Sequence, residues 1–155
     1  MPPSSQSRQR RKDADAVAVA ADHAGFGLKR ILVDELRAMG YEVLDLGTDG
    51  PESVDYPDYG RAVAEAVASG RAGRGVVVCG TGIGVSIAAN RIPGVRAALC
   101  HDSLSARLSR QHNDANVLAM GGRLLGVETA KDCLKVFMET PFEGGRHQNR
   151  VDKLG

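Results

Sequence analysis

Tryptophan is absent, and aromatic residues make up only 4% of the 155-residue chain. A stacking platform for single-stranded nucleic acid needs exposed rings, so that chemistry is not expected. Cysteine is scarce as well: Cys79, Cys100 and Cys133 are odd in number, widely spaced, and form no CxxC pair. Neither a disulfide framework nor a zinc site of paired cysteines is suggested, and a reducing cytoplasm is the natural compartment. No stretch approaches the ~20 apolar residues of a membrane helix. The apolar run Ala16–Ala21 stops at Asp22, short of the ~7–15 residues of a signal-peptide core. Net charge is +1, so no overall field draws the chain to nucleic acid or to a membrane.

What is present is ordinary globular material, with 43% hydrophobic and 25% charged residues. The core must be assembled from Val, Ala, Leu and Ile. Basic residues cluster in a Ser/Gln-rich leader, at Arg8, Arg10, Arg11 and Lys12. Residues 1–13 read as a disordered leader and residues 14–155 as a single domain.

Two kinds of segment alternate. Val17–Ala21 is a continuous small-apolar run, as in a strand buried on both faces. Leu28, Ile31, Leu32, Leu36 and Met39 recur at helical spacing, and Gly40 stops that helix. Tyr41–Leu46 reads as a second, more polar strand nearer an edge. Gly47–Tyr56 is a loop, and Pro57 opens a helix through about Ser69. Gly75–Cys79 is the most apolar strand; a Gly-rich loop and a helix to about Arg91 follow it. Val95–Cys100 is a fourth strand, and Asp102 or Ser103 caps a helix to about Gln111. Val117–Met120 is the fifth strand, and Gly126 to about Met138 the next helix. Pro141–Gly155 looks irregular. Five strand–helix alternations predict a three-layer, doubly wound, Rossmann-like α/β domain with a five-stranded parallel sheet. Ligands of such sheets sit at the carboxyl ends of the strands, near the reversal of strand order.

That rule selects four loops. Cys79-Gly80-Thr81-Gly82-Ile83-Gly84 follows the third strand. Its alternate glycines let backbone N–H groups approach a ligand, and the next helix offers its N-terminus to an anion. Thr81 adds a hydroxyl for a developing oxyanion. A dinucleotide fingerprint would instead be G-x-G-x-x-G after the first strand, and Asp22-His23-Ala24-Gly25 stands there. Asp22 suits sugar hydroxyls and His23 a phosphate or a proton, or the pair is a helix cap beside a surface histidine. Ser109–Asn116 is dense in polar groups. It reads either as a site, with His112 as acid–base group and Asn113 as hydroxyl ligand, or as a helix end and an Asx-rich turn. Arg146 and Arg150, four apart, share a face on a helical turn and suit one phosphate, or they belong to a solvated tail. His101 and His147 read as surface residues.

Together these segments resemble the type B ribose-5-phosphate isomerase family, which includes galactose-6-phosphate isomerase subunits. The likeness rests on Asp22–Gly25, Asp55-Tyr56-Pro57, Cys79–Gly84, Ser86–Asn90, Ser109–Asn113 and Glu143–His147, in order between about Val17 and Val151. The resemblance implies a cytoplasmic, cofactor-independent and metal-independent aldose–ketose isomerase of the pentose phosphate pathway. On the matching positions it implies Cys79 as the base that moves a proton between C2 and C1. Thr81 and the N–H groups of Gly80, Gly82, Ile83 and Gly84 would stabilise an enediolate, and His112 would open the sugar ring. Asp22 would hold hydroxyls. His23, Arg146 and Arg150 would bind phosphate at a C-terminal tail, and Tyr56, Asn113 and Arg123 would complete the pocket. It further implies a homodimer or a dimer of dimers, in which His112, Asn113 and Arg123 reach the partner's site. A branch of the family carries Glu as base just after the last loop glycine; Val85 stands there, which places this chain in the cysteine branch. The motifs leave the substrate open among ribose 5-phosphate, allose 6-phosphate, galactose 6-phosphate and a tetrose phosphate. A non-catalytic sugar-phosphate sensor is the alternative of another class.

Overall fold

Alanine and valine alone build β1 (Ala16–Ala21), and both its faces are buried. The other elements follow in chain order: α1 (Phe26–Ala38), β2 (Glu42–Asp45), α2 (Tyr56–Ala68), β3 (Arg74–Cys79), α3 (Ile83–Asn90), β4 (Ala97–Leu99), α4 (Ser103–Asn113), β5 (Val117–Gly121), α5 (Val127–Glu139) and α6 (Arg146–Asp152). This computed structural model describes residues 16–155, so the expected leader over residues 1–13 lies outside the described residues.

All five strands run parallel in the order β2-β1-β3-β5-β4. The polar strand β2 is at one edge, as its composition predicts. The sheet's two faces carry separate cores. Val17, Val19, Val76, Val78, Leu118 and Met120 pack with α1, α4 and α5. Ala18, Ala20, Val77, Cys79 and Ala119 pack with α2 and α3. This is the expected three-layer doubly wound domain. Chain order reverses between β1 and β3, which is the switch point where such sheets bind ligands.

Two expectations are corrected and a third is narrowed. The irregular C-terminal stretch contains α6, because His147 and Val151, four residues apart, are both buried. Tertiary burial thus stabilises a short polar helix that has no apolar periodicity of its own. The fourth strand is shorter than Val95–Cys100. The Val95 N–H goes to the Ile92 carbonyl and the Arg96 N–H to Asn116 Oδ1, so neither joins the ladder. Asp102 alone caps α4, its Oδ1 accepting the Ser105 N–H at 2.6 Å.

Candidate active site

At the carboxyl ends of β1 and β3 lies an open cleft of about 420 Å³, lined by Asp22, His23, Tyr56, Cys79, Gly80, Thr81, Ile83, Gly84, Ile87 and Arg123. Three loops make it, and close backbone contacts lock them together. The Asp22 N–H donates to the Val78 carbonyl at 3.2 Å, Gly122 N–H to the Cys79 carbonyl at 2.8 Å, and Arg123 N–H to the Gly80 carbonyl at 2.9 Å. Gly82 is left-handed, with φ +80°, and a Cβ there would lie 2.6 Å from Leu99 Cδ1. Glycine is the residue that takes this conformation without strain, so the chain can turn from β3 into α3 within three residues.

Cys79 ends β3 and is 5% exposed. The backbone N–H of Gly82 donates to its Sγ at 3.2 Å. Thr81 Oγ1 accepts the Ile83 N–H at 3.2 Å, which leaves the Thr81 hydroxyl hydrogen available to another acceptor. The first N–H groups of α3 have no partners within the helix, so positive potential collects at this end of the cleft. Val85, at the position of the alternative base, is fully buried.

Asp22 is a partial cap: Oδ1 accepts the N–H groups of Ala24 and Gly25, each at 3.0 Å. Its Oδ2 has no hydrogen bond among the described residues. His23 Nδ1 accepts the Val54 N–H at 3.2 Å, which places the ring proton on Nε2, a donor. The same contact draws the loop before α2 across β1 and sets Tyr56 at the cleft. The Tyr56 ring lies over Gly84, where a Cβ would meet Tyr56 Cζ at 2.7 Å.

His112, Asn113 and Arg150 are brought together elsewhere, in a second cleft of about 230 Å³ that His147, Val151 and Leu154 also line. Arg146 is exposed at the start of α6 and lines neither cleft. Within one chain the predicted residues therefore form two separate groups. Arg123 was expected to reach a partner's site together with His112 and Asn113. It instead lies beside Cys79 of its own chain, because the turn after β5 is pinned to the Cys79–Gly80 backbone.

His147 is the clearest residue that sequence reasoning misplaced. It is 8% exposed, and its ring stacks on His112 with centroids 4.5 Å apart at 15°. Burial lowers its pKa, and the charges of His112 and Arg146 lower it further. Its place four residues before buried Val151 was the available signal. Arg110 is buried and ties the end of α4 to the segments after it and after α5: its guanidinium donates to Asp114 Oδ1 at 2.8 Å and to the carbonyls of Ala115 and Thr140 at 2.6 and 3.1 Å. Lys29 is 1% exposed, and its Nζ donates to Asp45 Oδ1 at 2.7 Å and the Thr48 carbonyl at 2.8 Å. It anchors the start of the loop that ends at Tyr56. No helical signal marks a lysine as buried, since its neighbours in space come from β2.

Comparison with known proteins matches this arrangement. Residues 17–154 match the family described as Ribose/Galactose Isomerase. The chain is 49% identical over 138 residues to ribose-5-phosphate isomerase B of Escherichia coli (strain K12), covering 89% of this chain and 93% of that protein. It is 40% identical over 141 residues to D-erythrulose-4-phosphate isomerase of Pectobacterium atrosepticum, covering 90% and 93%. The solved structure of Clostridium thermocellum ribose-5-phosphate isomerase B superposes with a TM-score of 0.90 at 54% identity, covering 90% of this chain and 95% of that one. Among the described residues, no helix is long and apolar enough to cross a membrane.

Proposed function

The chain belongs to the ribose/galactose isomerase family and is an aldose–ketose isomerase, and from that premise we propose that it interconverts ribose 5-phosphate and ribulose 5-phosphate with Cys79 as the base. The observation that carries this reading is the Cys79 thiol at the switch point of the sheet, facing the cleft with the Gly82 N–H on its sulfur. A thiolate accepting that N–H removes the C2 proton of the open-chain aldose. The electron pair moves onto the C1 oxygen, giving an enediolate. The Thr81 hydroxyl and the free N–H groups at the start of α3 stabilise the negative oxygen, each such donor contributing about 10²–10³-fold. The O2 hydroxyl proton passes to O1 and the thiol returns its own proton to C1, giving the ketose. One proton shuttles through the sulfur and one between the two oxygens, so the step needs no redox partner.

Asp22 Oδ2 accepts from sugar hydroxyls, and His23 Nε2–H and Arg123 approach the anionic end. The separation of His112, Asn113 and Arg150 from Cys79 within one chain supports a homodimer in which each subunit completes its partner's site. Tyr56, Ile83 and Ile87, exposed and apolar beside the Cys79 cleft, offer a surface that a second copy would cover. In that assembly His112 opens the furanose ring, and Arg146 and Arg150 grip the phosphate with Asn113 on a hydroxyl. The cytoplasm is the compartment that three unpaired cysteines suit.

The test is kcat/KM measured across four-, five- and six-carbon aldose phosphates, for the native enzyme and for Cys79→Ala. Ribose 5-phosphate should be the best substrate, and the variant should lose at least about 10²-fold. A higher value on a tetrose or hexose phosphate would reassign the substrate. Near-native turnover by Cys79→Ala would remove the base.

A further inference from the structure

At the second cleft His112, the candidate ring-opening group, meets two side chains to which the isomerisation gives no role, Glu143 and His147. His112 comes from the last turn of α4, Glu143 from the segment after α5, and His147 from α6. One ligand atom from each lies within 4.8 Å of the other two. The His147 Nε2 and Glu143 Oε2 atoms are 4.0 Å apart, and the two imidazoles stack at 4.5 Å. Two imidazoles and a carboxylate are the donor set of an open tetrahedral transition-metal site, with a fourth position left for water or a ligand.

The scaffold is prepared for this. The Glu143 N–H donates to the Gln111 carbonyl at 3.1 Å, so the segment carrying the carboxylate is tied to the end of the helix carrying His112. Bonds of about 2.0–2.1 Å to a tetrahedral ion bring donor atoms to roughly 3.4 Å from one another. Reaching that spacing takes a shift of about 1 Å or somewhat more: the Glu143 side chain, 51% exposed, is free to move that far, and the two imidazoles must turn out of their near-parallel stack so that both ring-plane lone pairs meet the ion. Arg146 and Arg150 oppose any cation here. They select against hard ions that bind through charge alone, and they leave the advantage to ions that bond covalently to imidazole nitrogen.

We propose that His112, Glu143 and His147 form a binding site for a divalent transition ion of the zinc class, and that its occupation withdraws His112 from the reaction. The second half rests on the ring-opening role given to His112 above; the binding itself does not. Metal bound through the His112 nitrogen removes the lone pair that would accept a sugar hydroxyl proton. It also lies beside Arg150, where substrate phosphate would otherwise bind. The isomerase would then be reversibly inhibited by zinc and restored by a chelator.

Cobalt(II) tests the site directly. Added to the metal-free full-length enzyme, it should give the visible absorption of four-coordinate cobalt, and zinc should displace it. Glu143→Gln and His147→Gln should each weaken cobalt binding by about 10-fold or more. Cys79→Ala should bind as the native protein does, with no sulfur-to-cobalt band in either. Absent cobalt spectra, spectra unchanged in both glutamine variants, or spectra lost in Cys79→Ala would each overturn the site. In the activity arm, Glu143→Gln should keep native turnover and require about 10-fold more zinc for half-inhibition. Cobalt bound at these three residues without inhibition would overturn the withdrawal of His112 while leaving the metal site standing.

Discussion

Gly121 is where a single methyl group should separate folding from catalysis. It is the last residue of β5 and pairs with Cys79 across the sheet. A Cβ at Gly121 would lie 2.6 Å from both the carbonyl carbon and the carbonyl oxygen of Thr81, and 2.8 Å from its Cα. Ordinary carbon contacts begin near 3.4 Å, so about 0.8 Å of movement is required. Neither strand can supply it, because β5 is fully buried and hydrogen-bonded to β3 and β4. The loop between Cys79 and α3 must therefore move, carrying Thr81 and the Gly82 N–H away from the thiol. Overpacking of this size costs about 1–3 kcal/mol in stability. A displacement near 1 Å in a catalytic constellation costs on the order of 10²-fold in rate, or about 2.7 kcal/mol of transition-state stabilisation. Gly121→Ala should thus remain folded by circular dichroism while kcat/KM falls about 100-fold. Gly126→Ala is the control, since a Cβ there meets nothing within 4 Å. A folded Gly121→Ala enzyme within about threefold of native kcat/KM would refute the claim that loop position controls turnover.

Two further outcomes follow from buried groups. In the Lys29–Asp45 pair the two side chains are 2% and 36% exposed, so removing the acid strands a buried ammonium, whereas removing the base leaves a carboxylate that water reaches. Asp45→Ala should therefore destabilise by about 2 kcal/mol and Lys29→Met by about 1 kcal/mol in urea titrations; the reverse order would show that the pair is not asymmetrically buried. Burial pushes the Cys133 thiol up to about 11, with neighbouring Cys100 adding to the effect, and burial raises Cys100 too. Folded protein then holds these protons more tightly than unfolded protein, whose thiols titrate near 9.0, so stability should fall as pH rises from about 9 towards 11. Cys100→Ala/Cys133→Ala should flatten that decline in pH-dependent melts, and an unchanged slope would assign it to other groups.

Much of this molecule is legible along the chain. The all-apolar runs at Val17–Ala21 and Gly75–Cys79, alternating with amphipathic helices, are enough to specify a parallel sheet covered on both faces. The glycines at alternate positions after Cys79 mark a backbone built for close approach, and the order of chemistry-bearing loops follows from strand polarity. These signals are local, because strand and helix periodicities are written in the residues of one element. Other features depend on which elements become neighbours. The sequence pattern of residues 141–155 contains no helix, yet α6 forms because His147 and Val151 find a surface to bury against. Lys29 is charged and central in a helix, and it is buried only because β2 places Asp45 within 2.7 Å. Arg123 joins Cys79, and His112 joins His147, through backbone hydrogen bonds and packing between segments far apart in sequence. The residue types proposed for the site, and the loops that carry them, are determined by the sequence alone. Their division into two clefts is decided by the tertiary structure, because strand order and burial are properties of the packed sheet rather than of any single segment.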